Sequence, residues 1–329
     1  MNFRTLVELP LREMEINHSD RLMLFGSCFA GNIGRMLVKN KFSCDVNPYG
    51  VLYNPLSILK ALDEIRSCKK YSPDELFFYQ GNWHSPMHHG SFSDTSQEIC
   101  LSKINDRLRN AHSVLPQADY LLVTFGTAHV YTSKKTGRSV GNCHKLPEKE
   151  FDRRLLSVEE IVNGFTTFIQ ETEKTNSRMK WLFTVSPIRH VKDGMHGNQL
   201  SKSVLLLAIS RLRELFPSRV FYFPAYELML DELRDYRFYA DDMLHPSDMA
   251  VEYIWECFVK SYFSEKTRLF MNEWEQILKA LSHKPFDPVS ENYKSFLMQN
   301  VLRIKRAKEK YPYLDVEKEL ELCHIRLRQ

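Results

Sequence analysis

Two short stretches carry residue types that can do chemistry together: Gly26-Ser27, after the apolar run Leu22-Met-Leu-Phe25, and Asp242-Met-Leu-His245, far along the chain. A serine in a tight turn after a strand presents its hydroxyl at the carboxyl edge of a sheet, beside the first free N–H groups of the following helix. An imidazole can take the proton of such a hydroxyl, and an aspartate three residues before it can orient the ring and stabilise its cation. Each half has a plainer reading, Ser27 as the N-cap of a helix and His245 as a helix-start residue with one structural hydrogen bond. Their joint occurrence on one sheet favours Ser27 as nucleophile, His245 as base and Asp242 as its partner.

The elements that must position them follow from the apolar pattern. Short apolar runs near 21–25, 42–46, 119–125, 180–185 and 219–223 alternate with helical patterns, which predicts a parallel sheet covered on both faces. The expected helices begin near Cys28, Asn54, Ser96, Ser157, Gln199, Ala225 and Asp248; Ser157 with Glu160 is a capping box. Residues 1–19 read as an extended lead-in or edge strand. Residues 66–118 read as a loop-like insertion carrying part of a pocket wall, 128–155 as a second insertion, and 194–197 as a Gly-rich loop. The fold class predicted is α/β, a three-layer αβα sandwich with a mainly parallel five-stranded sheet. The domains expected are 1–263 and a helical C-terminal extension, 264–329. In such a sheet every strand's carboxyl end lies on one side, and Ser27, Asn47 with Gly50, Gly126 with Thr127, and Arg189 with His190 all follow strand ends.

At these residues the chain resembles a known family. Gly26-Ser-Cys-Phe-Ala30 spells the signature of the GSCFA-domain family, and the pair of Gly26-Ser27 with Asp242-x-x-His245 resembles the first and last sequence blocks of the SGNH (GDSL-like) hydrolases. Further stretches similar to the GSCFA family are Asn47-Pro-Tyr-Gly50, Thr124-Phe-Gly-Thr127, Asn142-Cys-His-Lys145, Ser186-Pro-Ile-Arg-His190, Ser201-Lys202 and Leu233-Arg-Asp-Tyr-Arg237. The resemblance implies a serine esterase or acyl hydrolase with the Ser27-His245-Asp242 triad, acting on a carbohydrate or other small ester without a cofactor. It also implies an oxyanion hole from the backbone N–H groups of Ser27 and Gly50. The third SGNH block expects Gly-x-Asn-Asp, where this chain has Gly126-Thr-Ala-His129; Asn142, Thr127 or His129 would have to replace the missing side-chain donor, with Asn142 preferred. A non-catalytic binding module or an acyltransferase on the same scaffold is the alternative.

Other candidates carry competing readings. Arg189, His190 and Lys145, with His144 beside them, can hold a carboxylate or phosphate on a substrate, or Arg189 can pair with Asp193 or Asp235. Cys28 at a helix start can be a thiol nucleophile, but is expected to point into the core. His84, His88, His89, Cys143 and His144 are zinc-type ligands in no standard spacing, so no metal site is predicted. The aromatic cluster from Phe77 to Trp83 reads as core before it reads as a sugar platform.

Bulk properties exclude several classes. A net charge of +4, from 45 basic and 41 acidic residues spread along 329, does not imply nucleic acid. No apolar run approaches the ~18 residues needed to span a bilayer, and the N-terminal residues lack a secretory core, so neither membrane nor export is expected and a cytoplasmic location is. Seven cysteines without a Cys-x-x-Cys pair read as reduced, mostly buried thiols. Oligomeric state is not legible.

Overall fold

The computed structural model describes residues 4–11 and 13–328. Strand β1 (Arg21–Gly26) runs directly into helix α1 (Cys28–Lys39), followed by β2 (Ser43–Val46) and α2 (Pro55–Arg66). A hairpin, β3 (Phe77–Tyr79) and β4 (Asn82–His84), precedes α3 (Gln97–Val114) and β5 (Tyr120–Phe125). Next come three short strands, β6 (His129–Ser133), β7 (Ser139–Val140) and β8 (Phe151–Leu155), then α4 (Val158–Thr175), β9 (Lys180–Val185), α5 (Gly194–Leu215) and β10 (Val220–Phe223). A single helical turn, α6 (Ala225–Glu227), leads by an irregular segment to α7 (Asp248–Tyr262), α8 (Glu265–Ser282), α9 (Glu291–Lys310) and α10 (Glu317–Leu327).

The main sheet has the order β10-β9-β5-β1-β2, and every neighbouring pair is parallel. Side chains alternate across it. Met23, Phe25, Leu121, Val123, Phe125, Trp181 and Phe183 bury against α2, α3, α4 and α5, while Leu22, Leu24, Leu122, Leu182, Phe221 and Phe223 bury against α1 and α7. The result is the expected three-layer sandwich. Helices α8 to α10 add to the α1–α7 layer and share its core through Phe270, Trp274, Ile277, Ile304 and Cys323.

The chain winds from β1 outward to β2, and from β5 outward to β9 and β10 in the other direction. The crevice of such a sheet opens where the winding reverses, at the carboxyl ends of β1 and β5.

The second insertion is not a loop: β7-β6-β8 form an antiparallel sheet. Asp152 to Leu155 are all exposed, so the strand has no buried face to leave an apolar alternation in the sequence. The first insertion contains the β3–β4 hairpin. Residues 194–197, expected as a loop, open α5; Gly194 makes the junction at φ 65°, a region that favours glycine. Among its described residues the lead-in joins no sheet, and Ile16 forms one parallel bridge to Phe263. Of the seven cysteines three are buried, three half-buried and one exposed, and all are free, so burial is less general than expected. Among the described residues no helix is long and apolar enough to cross a membrane.

Candidate active site

The position of Ser27 is set by the backbone before it. Gly26 sits at φ 139°, so close to β5 that a Cβ would lie 2.2 Å from Thr124 O. Its N–H donates to Asn47 Oδ1 at 2.9 Å, and its carbonyl accepts from the Leu52 N–H at 3.1 Å. The chain then turns at Ser27, which caps α1: its Oγ accepts from the Phe29 N–H at 3.3 Å. Ser27 is only 1% exposed, yet it lines a cavity of about 630 Å³ at the switch-point edge of the sheet. Both sequence readings of Ser27, cap and crevice residue, hold at once.

His245 lines the same cavity. Its Nδ1 lies 2.5 Å from Asp242 Oδ2, and Asp242 Oδ1 accepts from the N–H groups of Leu244 and His245 at 2.9 Å each. The two backbone donors and then the imidazole hold the Asp242 carboxyl down at about 2, so it is an acceptor only. The shared proton therefore sits on Nδ1, and Nε2 is left for chemistry. The loop is braced by Ala240 N–H to His245 O and Met243 N–H to Ala240 O, both 2.8 Å, with Met243 at φ 59°. No hydrogen bond joins His245 to Ser27 Oγ.

The candidate oxyanion donors separate clearly. The Ser27 N–H has no hydrogen-bond partner among the described residues. Asn142 lines the cavity; its Oδ1 accepts from the His144 N–H at 2.8 Å, and its amide NH₂ is unused. Thr127 also lines the cavity, but its N–H donates to Tyr53 O at 3.0 Å and its hydroxyl is tied to Ser201 Oγ at 3.0 Å and to the His129 N–H at 3.2 Å. Gly50 lies outside the cavity lining, with its N–H donating to Asn47 O at 2.8 Å and its α-carbon against His89.

Residues 21–258 match the sequence model of the GSCFA family, and residues 274–329 match that of the GSCFA domain protein, C-terminal domain. The chain belongs to the GSCFA family. No curated protein matches it. Ser27, Asp242 and His245 all fall inside the first family match, and the second begins within α8.

Around this GSCFA site, Lys145, Arg189 and His190 line the cavity, while His144 does not. His144 is buried, with Nε2 on Ser85 O at 2.8 Å and its ring 4.5 Å from that of His84. The neighbouring histidines spend their ring nitrogens likewise: His84 on Ser93 Oγ and Tyr79 O, His88 on Ser85 Oγ. Among the described residues no three His, Cys, Asp or Glu side chains are grouped to hold a metal ion. The hairpin aromatics Phe77, Phe78 and Tyr79 line a second cavity, about 990 Å³, which shares Val140, Asn142, Leu146 and Phe151 with the first. The wall expected from the first insertion is supplied instead by the second, through His129, Tyr131 and Arg153 of β6 and β8.

Two residues sit where the sequence does not put them. Cys28 lines the cavity instead of entering the core; burial and the neighbouring Cys28 push the Tyr53 hydroxyl up to about 12. Lys202 is wholly buried beneath the strand ends, donating to Gly126 O and Ser186 O at 2.7 Å each. The run Ser201-Lys202 was visible, but nothing in a lone helical lysine marks it as buried. Both side chains brace the strand ends, with Ser201 Oγ accepting from the Ala128 N–H at 2.8 Å.

Proposed function

We propose that this chain is a serine esterase with chemistry of the SGNH type, acting on a carbohydrate or other small ester. The observation that carries the reading is that Ser27, with its N–H unspent, and the Asp242-held His245 open on one cavity at the switch point of the sheet. Ser27 Oγ attacks the acyl carbonyl as its proton passes to His245 Nε2, and the carbonyl oxygen gathers charge toward the Ser27 N–H and the Asn142 amide. His245 returns the proton to the departing alcohol; water, deprotonated by His245, then releases the acid and restores Ser27. The Ser27–His245 hydrogen bond forms as substrate binds, in keeping with the looser geometry of free enzymes. A cavity of about 630 Å³ suits a small-molecule ester. The spent Thr127 hydroxyl and the unformed Ser27–His245 bond favour a second reading, a binding module on the same scaffold.

Labelling with a fluorophosphonate, read by intact mass, tests the choice. The expected outcome is one adduct on the wild type, absent from Ser27→Ala and His245→Ala, with ester turnover in Ser27→Ala reduced roughly a million-fold. A folded wild type that takes no adduct leaves the binding module.

A further inference from the structure

Charge on the cavity wall does not cancel. Four cationic side chains, Lys145, Arg153, Arg189 and Lys192, and two carboxylates, Glu148 and Asp193, line it. Arg153 pairs with Asp193 and Lys192 with Glu148, which uses both carboxylates. Asp235, the other partner open to Arg189 from the sequence, pairs with Arg237 at 3.0 Å. Lys145 and Arg189 are left without an ion pair among the described residues. Asp242 stands behind His245 and already accepts three N–H groups. His129 and His190 add no charge near neutrality, since burial lowers both and takes His190 to about 4.

Arg189 is also held ready. Nη2 donates to Met243 O at 2.7 Å, the guanidinium lies 4.8 Å over the Tyr239 ring, and the buried Nε has no hydrogen-bond partner. A guanidinium fixed by stacking and one hydrogen bond keeps further donors for a ligand with two or more anionic oxygens, and loses little entropy in binding it. Lys145 approaches from another element, the second insertion, on backbone at φ 59°. We infer that the molecule this cavity takes carries a carboxylate or phosphate group held by Arg189 and Lys145. For the ester that Ser27 attacks the inference rests on the esterase reading; for the anion it does not.

Isothermal titration of the purified chain with succinate, and separately with inorganic phosphate, reads the anion site without turnover. Saturable binding is expected, weakened about tenfold in Arg189→Gln and in Lys145→Gln, and the tighter of the two anions tells carboxylate from phosphate. The second variant guards against Arg189→Gln acting by loosening the Met243 loop. Binding of neither anion by the wild type overturns the inference. In turnover, 4-acetoxybenzoate and phenyl hemisuccinate, each set against its methyl ester, place the anion on the alcohol or the acyl side. At least one charged substrate is expected to be favoured about tenfold through KM, with the ratio falling toward one in both variants; ratios near one for both wild-type pairs overturn the substrate assignment. Fluorophosphonate labelling separates the failures. An adduct without anion binding removes this inference alone, and anion binding without an adduct removes the esterase reading alone.

Discussion

Lys202 shows how much one side chain can impose. It lies beneath the strand ends with two carbonyls for company, and burial alone takes its pKa to about 7. A neutral amine still has two N–H groups, enough for both carbonyls, so deprotonation removes the buried charge and keeps the hydrogen bonds. In the unfolded chain a lysine titrates near about 10.4, so above pH 7 the unfolded state holds more protons than the folded one and stability rises with pH, by up to about 1.4 kcal/mol per unit. Below pH 7 both states are charged and this contribution is flat. Urea unfolding of wild type and Lys202→Met, compared from pH 6 to 9, should show a stability difference that is constant below about pH 7 and shifts toward the wild type above it. A difference that does not change with pH would remove the assignment. Ser27 was legible because it follows an apolar strand run, and Asp242 with His245 because of their spacing; the burial of Lys202 and the outward turn of Cys28 were not, because neighbours distant in sequence set both.

Among elements, the β1–α1 turn is the least forgiving. Gly26 combines φ 139° with an approach to Thr124 O that leaves no room for a Cβ. Gly26→Ala must part β1 from β5 at the central pairing of the sheet, and is expected to cost about 3 kcal/mol or more, read as a lower urea midpoint or a loss of soluble protein. An alanine variant as stable as wild type would mean that the turn can relax. The central strands β1, β5 and β9 were readable because burial on both faces requires near-continuous apolar runs, as in Tyr120–Phe125; edge strand β2 has no buried residue. The sheet β7-β6-β8 was not readable, since its strands are short and largely solvated. That is why Arg153 gave no signal although it lines the cavity beside Tyr131.

At the scale of the whole molecule, the C-terminal helices are part of the core that holds α1. Trp274 is fully buried and donates from Nε1 to Lys39 O at 3.1 Å, and Lys41 pairs with Glu319 at 2.7 Å. Trp274→Ala is expected to cost about 3–5 kcal/mol and to lower one cooperative unfolding transition, followed by both fluorescence and circular dichroism. Two separated transitions in the wild type would show that α8 to α10 melt alone. The same arrangement makes α1 a strut. Its 12 residues span about 18 Å, with the serine at one tip and the Trp274 clamp at the other. A helix is stiff along its axis, so a load applied at the Trp274 end is carried along α1 to Ser27.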